Sequence, residues 1–106
     1  TCLFSQSKIA KIIDSLASQT FNDKDAIKVL THSEQTELRR TIFDIYADFI
    51  ASLKAEYPKL TDDDLLYLAL CEVGYDTQTI ALCFGFTNTH PINQRKFRLK
   101  ERMNKV

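Results

Sequence analysis

The sequence is short of the residues that turn a chain sharply: it has 2 Gly and 2 Pro in 106 residues, and no Trp. β-Rich folds with many tight turns draw on Gly and Pro, so such a fold is excluded at the outset. Cysteine is scarce too. Cys2, Cys71 and Cys83 are odd in number and widely spaced, with no Cys-x-x-Cys pair. Cys71 and Cys83 sit within apolar runs and read as buried thiols acting as small hydrophobes. Three unpaired thiols fit a reducing, cytoplasmic compartment. His32 and His90 share no ligand spacing with them, so neither a metal site nor any other cofactor is expected. The longest apolar run, Leu65 to Cys71, is far shorter than a membrane span. Thr1 to Gln6 lacks the basic flank of a signal peptide. The chain has no initiator Met and reads as a piece of a longer polypeptide. There is no Gly-rich phosphate loop, no His beside a plausible nucleophile and no paired carboxylate in a sensible cleft pattern, so an enzyme is not expected.

What is present is apolar periodicity: 44% of residues are hydrophobic, and they recur at helical spacing nearly everywhere. An all-α helical bundle follows. Ile9, Ile12, Ile13 and Leu16 form one face of a first helix, with Ser5 as a cap and Phe4 stapled onto Ile9. Asn22 caps a short second helix through Leu30, with Asp23 and Asp25 in its first turn. A longer helix runs from about Ser33 to Glu56 with a stripe of Leu38, Ile42, Ile45, Tyr46, Phe49, Ile50 and Leu53. Pro58 stops it. Thr61 caps the next helix, whose first turn carries Asp62, Asp63 and Asp64 as complements of the helix dipole. Gly74 ends it. A short helix from Asp76 or Thr77 to about Phe84 follows, then Gly85 as a tight turn. A last helix, capped by Thr89 or His90 with Pro91 near its first position, runs from about 91 to 104. Residues 1–57 make a helical connector or packing segment, and residues 58–106 a second unit.

Charge is distributed unevenly. Net charge is zero, yet through Pro91 there are eight Lys or Arg against thirteen Asp or Glu, and from Ile92 six against one. One basic segment ends a mildly acidic body. Gly74 to Met103 thus reads as helix, Gly turn, basic helix. The first of these holds Ile80-Ala81, and a small Ala there lets the next helix cross closely. In a helix-turn-helix the second helix lies in the DNA major groove and presents polar side chains to base edges.

The residues Leu60-Thr61-Asp62-Asp63-Asp64-Leu65, Gly74-Tyr75, Ile80-Ala81 and Gly85-Phe86-Thr87 together resemble the LuxR/GerE-type helix-turn-helix. That family reads Leu-Thr/Ser-x-x-Glu-Leu, an apolar helix, Gly and an aromatic or Leu, Ile-Ala, a turn and a recognition helix. Phe43, Tyr46, Phe49, Leu53 and Tyr57-Pro58-x-Leu60-Thr61 are similar to a variant at the C-termini of larger Bacteroidetes transcription regulators. Arg95 to Met103 is similar to that variant's basic ending. The resemblance covers about residues 43–103, and 1–42 only weakly. It implies that Asn93, Gln94, Lys96 and Phe97 face bases. It implies that Thr77, Gln78, Thr79, Arg95, Arg98, Lys100 and Arg102 meet phosphates, with Lys105 a lesser contact. Ile92, Leu99 and Met103 would be core with Leu65, Leu68, Ile80 and Phe86. The chain departs from the pattern in two places. Its Gly85–Ile92 connection is one residue longer and carries His90-Pro91, which shifts the last helix. Glu72 stands where the variant has a basic residue.

The expectation is a DNA-binding domain of a transcriptional regulator, with double-stranded DNA as partner, a homodimer as an option, and a sensory or oligomerising region upstream in the same polypeptide. With four to six cations on phosphates, the log–log salt slope would be about −4 to −5 per subunit. The other reading, favoured by the acidic body, the extra residue and Pro91, is a helical protein-interaction or dimerisation module with a degenerate helix-turn-helix.

Overall fold

Among the described residues six helices form, and for four of them the residue ahead shows why the helix starts there. The computed structural model describes residues 4, 6–19 and 27–103. The helices are α1 (Lys8–Ala17), α2 (His32–Ile45), α3 (Ala47–Glu56), α4 (Asp62–Val73), α5 (Thr77–Cys83) and α6 (His90–Arg102). No strand occurs among the described residues, and the fold is all-α.

Short polar side chains close most of the N-termini. Ser7 Oγ accepts from the Ala10 amide ahead of α1. Thr31 and Glu34 form a reciprocal capping box on α2, and Thr61 and Asp64 form another on α4. Asp76 Oδ1 accepts from the Thr79 amide at 2.8 Å to start α5. Before α6, Thr89 occupies the cap position without a side-chain bond, and Asn88 Oδ1 instead accepts from the His90 amide at 3.0 Å. Pro91 lies in the first turn of α6, where a missing N–H costs nothing.

The ends of α4 and α5 share one device. Gly74 and Gly85 take φ of 108° and 85°. The next residue's amide then reaches back five positions, Tyr75 to the Leu70 carbonyl and Phe86 to the Ala81 carbonyl. L-Residues rarely adopt this conformation, so both glycines are required by the backbone.

The buried cluster draws on every helix: Ile9 and Ile13 of α1, Leu38 and Ile42 of α2, Ile50 of α3, Leu65 and Leu70 of α4, Ile80 of α5, Ile92 and Leu99 of α6. It thus crosses residue 57, and the early helices pack directly on the later ones. The short α5 lies at the centre, in contact with α1, α4 and α6. Thr79, Ile80, Ala81, Leu82 and Cys83 of α5 are all buried. The segment ahead of α2 is pinned to its end, where the Leu30 amide donates to the Leu82 carbonyl. Gln35 Nε2 donates to the Leu30 carbonyl at 2.9 Å and lies against Gly85.

Several local expectations are corrected. The long helix 33–56 is two helices meeting at Tyr46, whose φ of −103° and ψ of 29° interrupt the spiral. Neither Gly nor Pro stands there. The Tyr46 amide still reaches the Ile42 carbonyl and its own carbonyl accepts from Ile50, so the chain bends without unwinding. The bend keeps both halves packed on α4. The second helix, expected from Asn22 to Leu30, falls largely outside the described residues, and Ile27 to Leu30 are not helical. Instead the Lys28 backbone exchanges two 2.7 Å hydrogen bonds with the Gln19 side chain. The capping role given to Ser5 lies outside the described residues, as do Cys2, Asn104 and Lys105. Phe86 is 37% exposed, not core, because it follows the Gly85 turn out of the bundle. Cys71 is exposed, since the apolar run of α4 extends beyond its buried face, whereas Cys83 is buried. Burial pushes the Cys83 thiol up to about 12, which removes it from thiolate chemistry near neutral pH.

The two glycines separate backbone cost from crowding. A Cβ at Gly74 meets nothing within 4 Å, whereas one at Gly85 lies 2.8 Å from Gln35 Nε2. Gly74→Ala therefore pays the left-handed backbone alone, about 1–2 kcal/mol. Gly85→Ala is expected to cost up to about 1 kcal/mol more, because the flexible Gln35 amide has to shift and its bond to Leu30 is weakened or lost. Urea unfolding followed by circular dichroism measures both. Equal losses would show that the Gln35 contact is immaterial.

Candidate nucleic-acid interface

The last helix has two different sides. Ile92 and Leu99 are buried, and Met103 is packed against the core. On the opposite side Asn93, Gln94, Lys96, Phe97, Arg98, Lys100 and Glu101 are all exposed. At 3.6 residues per turn Asn93, Phe97 and Lys100 share one ridge, and His90, Gln94, Phe97 and Glu101 the next. Phe97, 67% exposed, lies on both and so marks the middle of the outward face. The four residues expected to face bases, Asn93, Gln94, Lys96 and Phe97, thus lie together on the exposed side of one helix.

The residues expected to meet phosphates divide. Arg98 and Lys100 are exposed and make no ion pair among the described residues. Arg95 and Arg102 turn inward. Arg95 Nη1 donates to Asp64 Oδ1 at 2.9 Å, and Arg102 Nη1 to Asp64 Oδ2 at 2.6 Å. Arg95 also lies 3.9 Å from Asp63 Oδ2, and its guanidinium carbon is 5.6 Å from the Phe84 ring centroid. The Arg95 and Arg102 side chains are only 24% and 34% exposed. Asp63 is shared, because Arg39 of α2 donates to its Oδ1. Within α5, Gln78 is exposed and Thr77 half-buried, but Thr79 is buried. Hydrogen bonds from Thr79, first from its side chain and then from its backbone, hold the Asp76 carboxyl below its ordinary value. Thr79, Arg95 and Arg102 therefore serve the fold. Each is engaged by an acid of the fold, Thr79 by Asp76 and the two arginines by Asp64, whereas Arg98 and Lys100 are not.

Asp64 is the residue that sequence reasoning undervalued. It is one of three acids in the first turn of α4, facing the helix N-terminus. It is also completely buried, and its two oxygens accept from the Thr61 amide, Arg95 and Arg102. Burial alone raises its pKa. The hydrogen bonds from Thr61 and Arg102, with the charge of Arg102, outweigh that and hold the carboxyl below its ordinary value. The available signal was the spacing of Arg95 and Arg102, seven residues apart on the same side as Leu99 and facing a single acid position in the Leu-Thr-x-x-acid-Leu run.

Among the described residues no group of three or more His, Cys, Asp or Glu could hold a metal ion, and no helix is long and apolar enough to cross a membrane. An open cavity of about 640 Å³ lies between α1 and α2, lined by Lys8, Ile12 and Arg40 with Glu34 and Glu37. Its mixed charges favour no one sign of ligand. The chain matches no family model, no curated protein and no solved structure.

The clamp has a defined pH signature. A carboxyl whose folded-state pKa is lowered adds stability that is fully present above about pH 4 and is lost as pH falls through the folded-state value. Asp64→Asn removes the charge while keeping the shape, and is expected to cost about 1.5–3 kcal/mol at neutral pH. Denaturant unfolding across a pH series measures it. The loss should shrink as acid protonates Asp64 in the parent chain. A variant as stable as the parent at pH 7 would show that the clamp contributes nothing.

Proposed function

We propose that the chain is a DNA-binding domain of a transcriptional regulator, docking α6 in the major groove of double-stranded DNA. The observation that carries this reading is the division of labour along α6. Its apolar side and two of its arginines are committed to the core, so a polar and cationic side remains outward on a rigid scaffold. Asn93 and Gln94 carry amides suited to base-edge hydrogen bonds, and Lys96, Arg98 and Lys100 suit phosphates or guanine edges. The order of elements agrees with the LuxR/GerE-type resemblance: a capped acidic helix, a Gly-closed end, a short buried helix with Ile80-Ala81, a second Gly turn and a basic helix. The mechanism is electrostatic docking followed by groove readout, with no covalent step. Such modules often act in pairs, reading half-sites about one helical turn apart, and a homodimer assembled by an upstream region of the same polypeptide would supply the second.

The inward turn of Arg95 and Arg102 changes the expected electrolyte dependence. Three outward cations give a log–log salt slope of about −3 per subunit, not the −4 to −5 that four to six contacts would give. Fluorescence anisotropy on a long mixed-sequence duplex at several salt concentrations measures it. The variant Lys96→Ala/Arg98→Ala/Lys100→Ala should bind far more weakly with its helicity unchanged. An absence of binding at low salt with the fold intact would overturn the reading. Self-association under the same conditions would then favour the second reading, a protein-interaction or dimerisation module, for which the exposed rings of Phe86 and Phe97 are the supporting observation.

A further inference from the structure

The outward face of α6 has an apolar centre inside a charged rim. Phe97 is 67% exposed, and its ring makes no aromatic or cation–π contact among the described residues. Around the helix, Lys96 and Lys100 flank it on one side and Glu101 and then Arg98 on the other, while Asn93 and Gln94 lie one turn toward the N-terminus. An apolar anchor surrounded by polar groups is the anatomy of a recognition hot spot. Three exposed cations against one exposed acid leave this rim net positive, which matches a polyanion, and duplex DNA is a polyanion with two phosphate walls bordering a groove.

The floor of the major groove offers one hydrocarbon group, the 5-methyl of thymine. The remaining groups presented there are hydrogen-bond donors and acceptors, with which a phenyl ring has no favourable exchange. We infer that Phe97 is a specificity-determining residue that packs on a thymine methyl, so that the domain selects a T·A pair at the position beneath the middle of α6. This inference rests on the DNA-binding reading and gives it chemical content. The amides of Asn93 and Gln94 and the cations are compatible with many sequences. The ring is selective, because replacing thymine by cytosine leaves only a hydrogen where the methyl stood and exchanges the neighbouring O4 acceptor for an amino donor. Burial of one methyl group is worth about fourfold in affinity.

The test uses the parent chain and Phe97→Ala, each taken through selection on a randomised duplex library. The enriched duplex is then compared with its sequence-matched counterpart in which deoxyuridine replaces thymidine. Deoxyuridine keeps every hydrogen-bonding group and removes only the methyl. The parent chain should bind the deoxyuridine duplex about fourfold more weakly. Phe97→Ala should bind both duplexes equally, show no enrichment of a T·A pair, and keep the parent's salt slope. Phe97→Leu, still apolar, should retain part of the preference. A parent chain indifferent to the methyl, or a Phe97→Ala variant that keeps the full preference, overturns the inference and leaves DNA binding standing. Absence of binding to any duplex in the selection overturns both.

Discussion

One carboxylate ties the start of α4 to the whole length of α6. Asp64 is fully buried, and on its own such a charge would be expensive. Its cost is offset by three accepted hydrogen bonds, two of them from guanidinium groups spaced seven residues apart. Because Arg95 and Arg102 are spaced by two helical turns, they grip one oxygen each and set both the rotation and the axial position of α6. The same residue closes the capping box on Thr61. Removing it would release an arginine pair, a helix start and the orientation of the last helix together. The outward presentation of Asn93, Phe97 and Lys100 is therefore a consequence of what is buried on the other side.

The early helices have a mechanical part in this arrangement. The short α5 has few residues of its own to stabilise it, and short helices are marginal without packing. Here α1 covers one side, α4 and α6 the others, and the Leu30 amide satisfies the Leu82 carbonyl at its end. Gln35 lies over Gly85, at the turn that aims the chain toward α6. Whatever orients α6 thus passes through residues 27–35 as well as through the Asp64 clamp.

What could be read in the sequence, and what could not, follows from the range of each interaction. The helices of the second half were legible because their signals are local: Thr61 with three acids, Gly74 and Gly85 at the ends, Asp76 ahead of Thr77, Pro91 in a first turn. The buried positions Ile92 and Leu99 followed from helical spacing. The bend at Tyr46 was not legible, since no Gly or Pro announces it and the bend follows the packing of two helices on α4. The Ile27–Leu30 segment read as helix because its composition permits it, but its backbone is drawn to Gln19 and Leu82, partners distant in sequence. The inward turn of Arg95 and Arg102 depends on a buried acid thirty or more residues away. Charge counting along one helix cannot tell an arginine held by such an acid from one facing water.

That distinction alters what a zero net charge means. The segment from Ile92 holds six of the fourteen cations, and two of them are neutralised in place by Asp63 and Asp64. The field outside α6 is then set by Lys96, Arg98 and Lys100, with Glu101 the one acid on that surface. At physiological salt, charges more than about 8 Å apart are largely screened from one another, so these neighbours on one helix dominate the field at that face. A local positive surface is thus compatible with an acidic chain, but its long-range steering is weak. Discrimination would have to come from short-range groups at the centre of the face, and the largest of those is the Phe97 ring.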